Sequence, residues 1–379
     1  MPTRLRAFAR PLLFLLLVAG GYGLLRTQRD GLVDFAVPRT AAERFAAGER
    51  LYRPEDGHYQ YKYLPAFAQF MVPFTWMPKV AGEVTWVALT MAMAWGLLRL
   101  SLFALPERRR SEKLLYWITL LLVGKFLVKE LGFGNFNLPV ALLMLGAVVA
   151  AQHRRAYAAG ALVAAAIFVK PYALVLVPWL AVAMGWRAFI SFGAVVAAGL
   201  ALPIAYYGWS GNLALLHEWY RTVTETTAPN LMGAENISFA SMWAKWLTPG
   251  PTAAGLAFGT TIIAMVAGLA VMWRRRHVAE PNYLEAAYFF VLIPLISPQG
   301  WDYVLILALP AYMCLVDRWL ELTPSWRATT LTAFLLTSFT IFDLLRRPLY
   351  IHLMELAGVS VGAMLLALCL MRLRWRALA

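Results

Sequence analysis

A succession of apolar runs, broken by short polar turns, constrains this chain more than any other feature. Hydrophobic residues make up 61% of it and charged residues 14%, against roughly half and about a quarter in soluble domains. A soluble fold of this length has no interior large enough for that apolar surface, so lipid is its solvent. A span needs about 20 apolar residues, fewer where a helix stops inside protein. On that basis about twelve spans are predicted, at 8–25, 80–104, 114–128, 138–151, 156–169, 172–184, 188–207, 253–273, 283–296, 303–316, 329–342 and 354–371. The whole chain, 1–379, reads as a single all-α polytopic membrane domain.

Basic clusters alternate with these runs. They are Arg4, Arg6 and Arg10; Arg108–Arg110 with Lys113; Arg154 and Arg155; Arg274–Arg276; and Arg372, Arg374 and Arg376. All fall on one side if the N-terminus is cytoplasmic, as the positive-inside rule requires. The net charge of +14 is therefore topological, and no basic domain stands free of the bilayer to bind nucleic acid. The first run has the basic and apolar regions of a signal peptide, but Ala19-Gly20-Gly21-Tyr22-Gly23 is a poor cleavage site and predicts an uncleaved anchor. Cys314 and Cys369 lie in apolar runs and suggest no disulfide framework. Trp76, Trp86, Trp186, Trp209 and Trp219 near span ends fit interfacial belts, and the small residues of 158–166 fit helix packing.

With that orientation the outward segments are 26–79, 132–137, 170–171, 208–251, 297–302 and 343–353. Only 26–79 and 208–251 are long. A short helix is predicted over 40–48, stopped by Gly48, and an amphipathic surface helix over 213–223. The inward links are too short for a catalytic domain, so any chemistry belongs on the outer face.

Asp34 stands just past the first run, in a segment crowded with Asp30, Glu43, Glu49, Glu55 and Asp56 beside Arg29, Arg39, Arg44 and Arg53. The bland reading is a helix cap or a solvated carboxylate. The chemical reading is a general base, because apolar surroundings raise a carboxyl's pKa. Glu55, Asp56 and His58 form a second group that serves to bind sugar, cap a turn or ligate a metal; one His with two carboxylates is weak evidence for metal, and none is expected. Lys170-Pro171-Tyr172 separates two runs too short to span. An ionisable residue there is a functional candidate, with a lipid phosphate as its partner; the competing reading is a snorkelling lysine. Lys125, Lys129 and Glu130 carry the same ambiguity, with Lys129 and Glu130 expected to pair. In Gly134-Asn135-Phe136-Asn137 the two amides suit sugar hydroxyls or their own turn. Ser297-Pro298-Gln299-Gly300-Trp301-Asp302 offers a stacking face and an acceptor, or an interfacial Trp with a capping Asp. Asn236-Ile237-Ser238 matches the N-glycosylation pattern and is read as chance.

Taken in order, these pieces resemble glycosyltransferase family 87, the polyprenyl-phosphate-sugar-dependent membrane transferases that include actinobacterial phosphatidylinositol-mannoside mannosyltransferases. The resemblance covers nearly the whole chain. It rests on Asp34, Gly48-Glu49-Arg50-Leu51-Tyr52, Tyr61-Lys62-Tyr63-Leu64-Pro65 with Pro73-Phe74, Gly134-Asn135-Phe136-Asn137, Lys170-Pro171-Tyr172 and the 297–302 turn. It implies a GT-C bundle of about 10–12 helices with its site at the outer face and Asp34 as base. Members often carry a His shortly after the Trp-Asp pair, where this chain has Tyr303 and Val304. The expected function is hexose transfer, with mannose the expected sugar, from a polyprenyl-phosphate donor to a glycolipid or glycan acceptor, at a bacterial cytoplasmic membrane and without a cofactor. Lys170, Lys62, Arg53 and Tyr172 are the candidate donor-phosphate residues. His58, Asn135, Asn137, Gln299, Trp301 and Asp302 are the candidate sugar or acceptor residues. Two other classes are open. One is a lipid-linked-substrate transporter or flippase, although no repeated half is visible; the other is a surface-polysaccharide ligase or polymerase, although 208–251 holds only Arg221 and Lys245 as Arg or Lys.

Overall fold

The computed structural model describes residues 20–27, 29, 31–274 and 281–376, with the main chain alone at 281 and 282. Most of the first predicted span, Arg4, Arg6, Arg10, Asp30, Arg275 and Arg276 lie outside the described residues. The described residues are helical apart from turns and one isolated β-bridge, Asn236 with Trp301. The chain is thus an all-α polytopic membrane protein.

Each predicted span beyond the first coincides with a helix or with a pair of short helices. Lys79–Ala104, Pro251–Arg274 and Gly358–Arg376 are long and apolar enough to cross a membrane alone. Two bent pairs raise that number to five: Trp186–Ala201 with Ile204–Asn230, bent by 92°, and Pro324–Ser338 with Phe342–Glu355, bent by 99°. The remaining apolar helices, such as Asn137–Gln152 and Ala156–Val169, are too short to cross alone. Glu112–Phe133 has the length, but Glu112, Lys113, Lys125, Lys129 and Glu130 make it too charged for lipid on all sides. Of these, Lys125, Lys129 and Glu130 face protein partners, described below.

The breaks have local causes. Pro171 has no N–H to continue Ala156–Val169, and the predicted run 172–184 becomes a 3₁₀ segment, Pro171–Leu176, followed by Val177–Met184. The run predicted at 303–316 likewise divides into Asp302–Ala308 and Leu309–Asp317, with Pro310 in the first turn of the second. Alanine-rich Ala156–Val169 packs between Asn137–Gln152 and Trp186–Ala201, with Ala159, Ala164 and Ala166 fully buried. Gly358–Arg376 packs against Pro324–Ser338 and Pro281–Ile296, where Arg374 Nε meets Glu285 Oε1 at 2.8 Å.

The first long loop is more helical than its sequence suggests. The predicted 40–48 helix begins seven residues earlier, as Val33–Ala46, because Phe35, Pro38, Ala41, Ala42 and Phe45 bury one face of it. Asp34 therefore sits in the first turn of a helix, and Leu32 holds the cap position without a side-chain bond. Under that helix lies an aromatic cluster. Phe35 stacks on Trp86 with centroids 5.7 Å apart, Trp86 lies 4.3 Å from Phe136, and Trp86 Nε1 donates to Gly134 O at 3.1 Å. Each such ring pair contributes about 0.5–1.5 kcal/mol beyond burial, so the start of the Asp34 helix is anchored to the 134–136 turn.

The predicted surface helix at 213–223 is part of Ile204–Glu225, which kinks at Gly208. It closes over the first loop: Trp219 Nε1 donates to Lys62 O at 3.1 Å, and Arg50 pairs with Glu218 at 2.8 Å.

Candidate active site

One cavity of about 430 Å³ draws residues from widely separated stretches of chain: Asp34; His58, Lys62 and Tyr63; Asn135; Lys170 and Tyr172; and Gln299, Trp301 and Tyr303. Most residues singled out from sequence thus line a single space. Three do not. Arg53 pairs with Glu49 at 2.5 Å and is absent from the lining. Asn137 and Asp302 are buried behind the wall.

The centre is a chain of short hydrogen bonds. Asn135 Nδ2 donates to Asp34 Oδ2 at 2.6 Å. Asn135 Oδ1 accepts from Lys170 Nζ at 2.6 Å, from Phe136 N at 2.8 Å and from Asn137 Nδ2 at 3.2 Å. One carboxamide thus bridges the acid and the cation. Its oxygen faces an ammonium and its nitrogen a carboxylate, the one orientation in which every contact pairs a donor with an acceptor. Lys170 Nζ also donates to Asn137 Oδ1 at 2.9 Å, and that oxygen accepts the Tyr172 hydroxyl. The rings of Tyr63 and Tyr172 lie 6.0 and 5.7 Å from the same ammonium.

Burial, the largest influence on Asp34, raises its carboxyl above the ordinary value; the Lys170 ammonium and the Asn135 bond oppose it. At the turn that ends Ala156–Val169, burial brings Lys170 down to about 8, opposed by the charges of Glu130 and Asp34. Burial also lowers Lys62. An acid raised toward the working pH and a lysine lowered toward it suit a base paired with a titratable anion-binding cation.

Two expectations are corrected here. Lys129 and Glu130 do not pair. Lys129 Nζ reaches Glu235 at 2.8 Å and Asp302 at 2.9 Å, and Lys125 reaches the other Asp302 oxygen at 3.3 Å. Adjacent residues on a helix point about 100° apart, so each finds a different neighbour. Glu130 instead accepts from Asn137 N, Asn137 Nδ2 and Leu138 N at 2.6, 2.8 and 3.0 Å. In the second acidic group, Asp56 is taken by Arg44 through two bonds of 2.5 and 2.8 Å, which leaves His58 on the cavity.

The Trp301 turn is held from the second long loop. Ile237 N donates to Gly300 O at 2.7 Å and Asp302 N to Glu235 O at 2.9 Å. Asn236 is fully buried, its Nδ2 donating to Asn230 O and Pro298 O. The glycosylation pattern there is thus consumed as a clamp. Gln299 Nε2 reaches Thr227 Oγ1 at 3.2 Å while lining the cavity.

Sequence reading did not single out Tyr63, Tyr303 or Glu130 as site residues. Tyr63 stands inside the Tyr61–Pro65 motif, and Tyr303 directly follows the Trp-Asp pair, so position was their available signal. Glu130 stood out only as an ionisable residue near the end of an apolar run, with Lys129 as its expected partner.

The family model for glycosyltransferase family 87 matches residues 61–298, more than half of the chain. That stretch holds Lys62, Asn135, Lys170 and Tyr172; it begins after Asp34 and ends just before Gln299. No curated protein matches the chain.

Proposed function

The chain belongs to glycosyltransferase family 87, and we propose from that premise that it moves a hexose, with mannose our choice, from a polyprenyl-phosphate sugar to an acceptor hydroxyl at the outer membrane face. The membership makes it a membrane glycosyltransferase and sets aside the transporter alternative. The observation that carries the finer reading is the Asp34–Asn135–Lys170 bridge on the wall of one cavity.

In this mechanism the acceptor hydroxyl gives its proton to Asp34. Asn135 occupies Oδ2, so Oδ1 is the oxygen that meets the hydroxyl. The acceptor oxygen forms its new bond to the anomeric carbon from the face opposite the phosphate. The bond from that carbon to the phosphate oxygen breaks, the electron pair leaves with polyprenyl phosphate, and the configuration inverts. Polyprenyl phosphate is a weak base and needs no proton donor. It needs charge stabilisation, the role given to Lys170, with Lys62 close by and Tyr172 fixing the lysine's partner. Arg53, tied to Glu49 away from the cavity, takes no part. Trp301 and Tyr303 supply a stacking wall for the sugar, with His58 and Gln299 as hydrogen-bonding groups.

Purified protein incubated with a panel of radiolabelled polyprenyl-phosphate sugars and membrane lipids tests the reading through the mobility of labelled product. Asp34→Asn is expected to keep the fold and lose roughly 10²–10⁴-fold in transfer, the usual worth of general-base help. Wild-type transfer by that variant removes Asp34 from the role.

A further inference from the structure

We propose that Glu130, which does not touch the cavity, is the positioning residue for the donor-binding cation: acting through Asn137, it fixes the place of Lys170 and keeps its ammonium charged. The inference rests on the reading of Lys170 as the group that faces the donor phosphate.

Glu130 lies in the last turn of Glu112–Phe133 and is fully buried. All three of its side-chain bonds go to the start of the next helix, Asn137–Gln152: two main-chain N–H groups on Oε1 and the Asn137 amide on Oε2. A helix cap needs only the first two. The third has a consequence beyond capping. Asn137 Nδ2 spends its two protons on Glu130 Oε2 and Asn135 Oδ1. Its Oδ1 must then point the opposite way, where it receives Lys170 and Tyr172. The carboxylate thus dictates which end of the amide the lysine meets. An amide turned the other way would set NH₂ against an ammonium.

The charge matters as well as the shape. Two acids face Lys170, Glu130 and Asp34, together with the hydroxyl-bearing rings of Tyr63 and Tyr172. Tyr303, His58 and Lys62 stand on the same cavity. Of the two acids Glu130 has the larger effect on the lysine. It is also the one that the reaction never protonates, so its support persists while Asp34 gains and loses a proton.

A measurement without substrate tests this. Trace acetic anhydride labels deprotonated lysines of the full chain in detergent, and peptide mass spectrometry across pH gives the midpoint for each. Lys170 is expected at about 8 in the wild type. Glu130→Gln should lower that midpoint by about one unit or more, because the charge is lost and the glutamine NH₂ opposes Asn137 Nδ2. Lys245, also brought to about 8 by burial but bonded to Ala234 O and Asn236 O, should not move. The same variant should raise the donor KM about tenfold and change kcat far less, as loss of ground-state binding does. Asn137→Ser breaks the link without removing the carboxylate; it should lower the Lys170 midpoint by less and raise KM likewise. If the buried glutamine is not tolerated, the serine variant carries the test alone. A Lys170 midpoint unchanged in the folded variants overturns the proposal and leaves Glu130 a helix cap. A midpoint that falls as expected, in a protein that turns over no polyprenyl-phosphate sugar, sustains the positioning role and removes the donor reading instead.

Discussion

At Asp34 burial and charge act in opposite senses, and the balance sets a pH dependence. In the proposed mechanism the base works only when deprotonated, so activity is expected to fall as pH drops through its raised pKa, above the ordinary value of about 3.9. There Lys170 holds phosphate only when protonated, so activity is also expected to fall as pH rises through about 8. A bell-shaped profile of kcat/KM for the donor follows, since that ratio reports the free enzyme. Lys170→Arg should abolish the basic limb, because a guanidinium stays charged throughout, while Lys170→Ala should raise the donor KM at every pH. Initial rates between pH 4 and 10 check both. The residue types were legible in sequence: an acid, a lysine and a tryptophan in apolar surroundings each demand a reason. The roles of the amides were not. The sequence offers Asn135 and Asn137 either to sugar hydroxyls or to their own turn; in the structure Asn137 has both its protons and its oxygen engaged, and Asn135 Oδ1 holds three donors. The Asp34 partner of Asn135 lies 101 residues away, and no spacing rule reaches so far. Arg53 shows the converse. Its partner Glu49 is four residues away, a local pairing that the crowd of charges concealed.

Elements meet the site through their ends, and the turn at Gly134 joins two of them. Gly134 closes Glu112–Phe133 at φ +71°, and an added Cβ would sit 2.8 Å from the Cβ atoms of Leu32 and Phe35. Gly134→Ala therefore combines left-handed strain with a push on the residues that flank Asp34. It should cost about 1–3 kcal/mol and depress transfer more than stability alone explains, as thermal unfolding and rate on the same preparation can tell. Gly48→Ala is the control. Its φ of +67° carries similar strain, but nothing lies within 4 Å, so its cost should be about 1 kcal/mol with transfer unchanged. The long helices were readable because apolar length is a property of the sequence itself. The start of Val33–Ala46 was not, because Phe35 earns its place from Trp86, Phe74 and Phe136, which the local pattern cannot anticipate. The 3₁₀ segments Pro171–Leu176 and Asp302–Ala308 begin in turns that the sequence shows but extend into the apolar runs 172–184 and 303–316, which look continuous.

For the molecule as a whole, the remaining question is which end of the bundle faces outward, and the helix Glu112–Phe133 supplies the axis for it. At one end stand Arg108, Arg109 and Arg110, close to Arg318, whose Nη2 donates to Pro106 O, and to Asp317, which accepts from the N–H groups of Arg109 and Arg110. At the other end Phe133 lines the cavity. Twenty-two residues at 1.5 Å each put about 33 Å between them, a full hydrocarbon thickness. On the positive-inside rule the arginine-rich end is expected in the cytoplasm and the cavity on the opposite face. Substituted-cysteine labelling tests this cleanly, because Cys314 and Cys369 are both buried and give little background. Thr40→Cys, exposed on the helix that carries Asp34, should react with a membrane-impermeant maleimide in intact cells. Leu320→Cys, 65% exposed beside Arg318 and Glu321, should react only after permeabilisation. The reverse pattern would put the base in the cytosol, where a soluble nucleotide sugar is an available donor. The bundle, the cavity and the bridge would stand, and the lipid-linked donor would no longer follow from them.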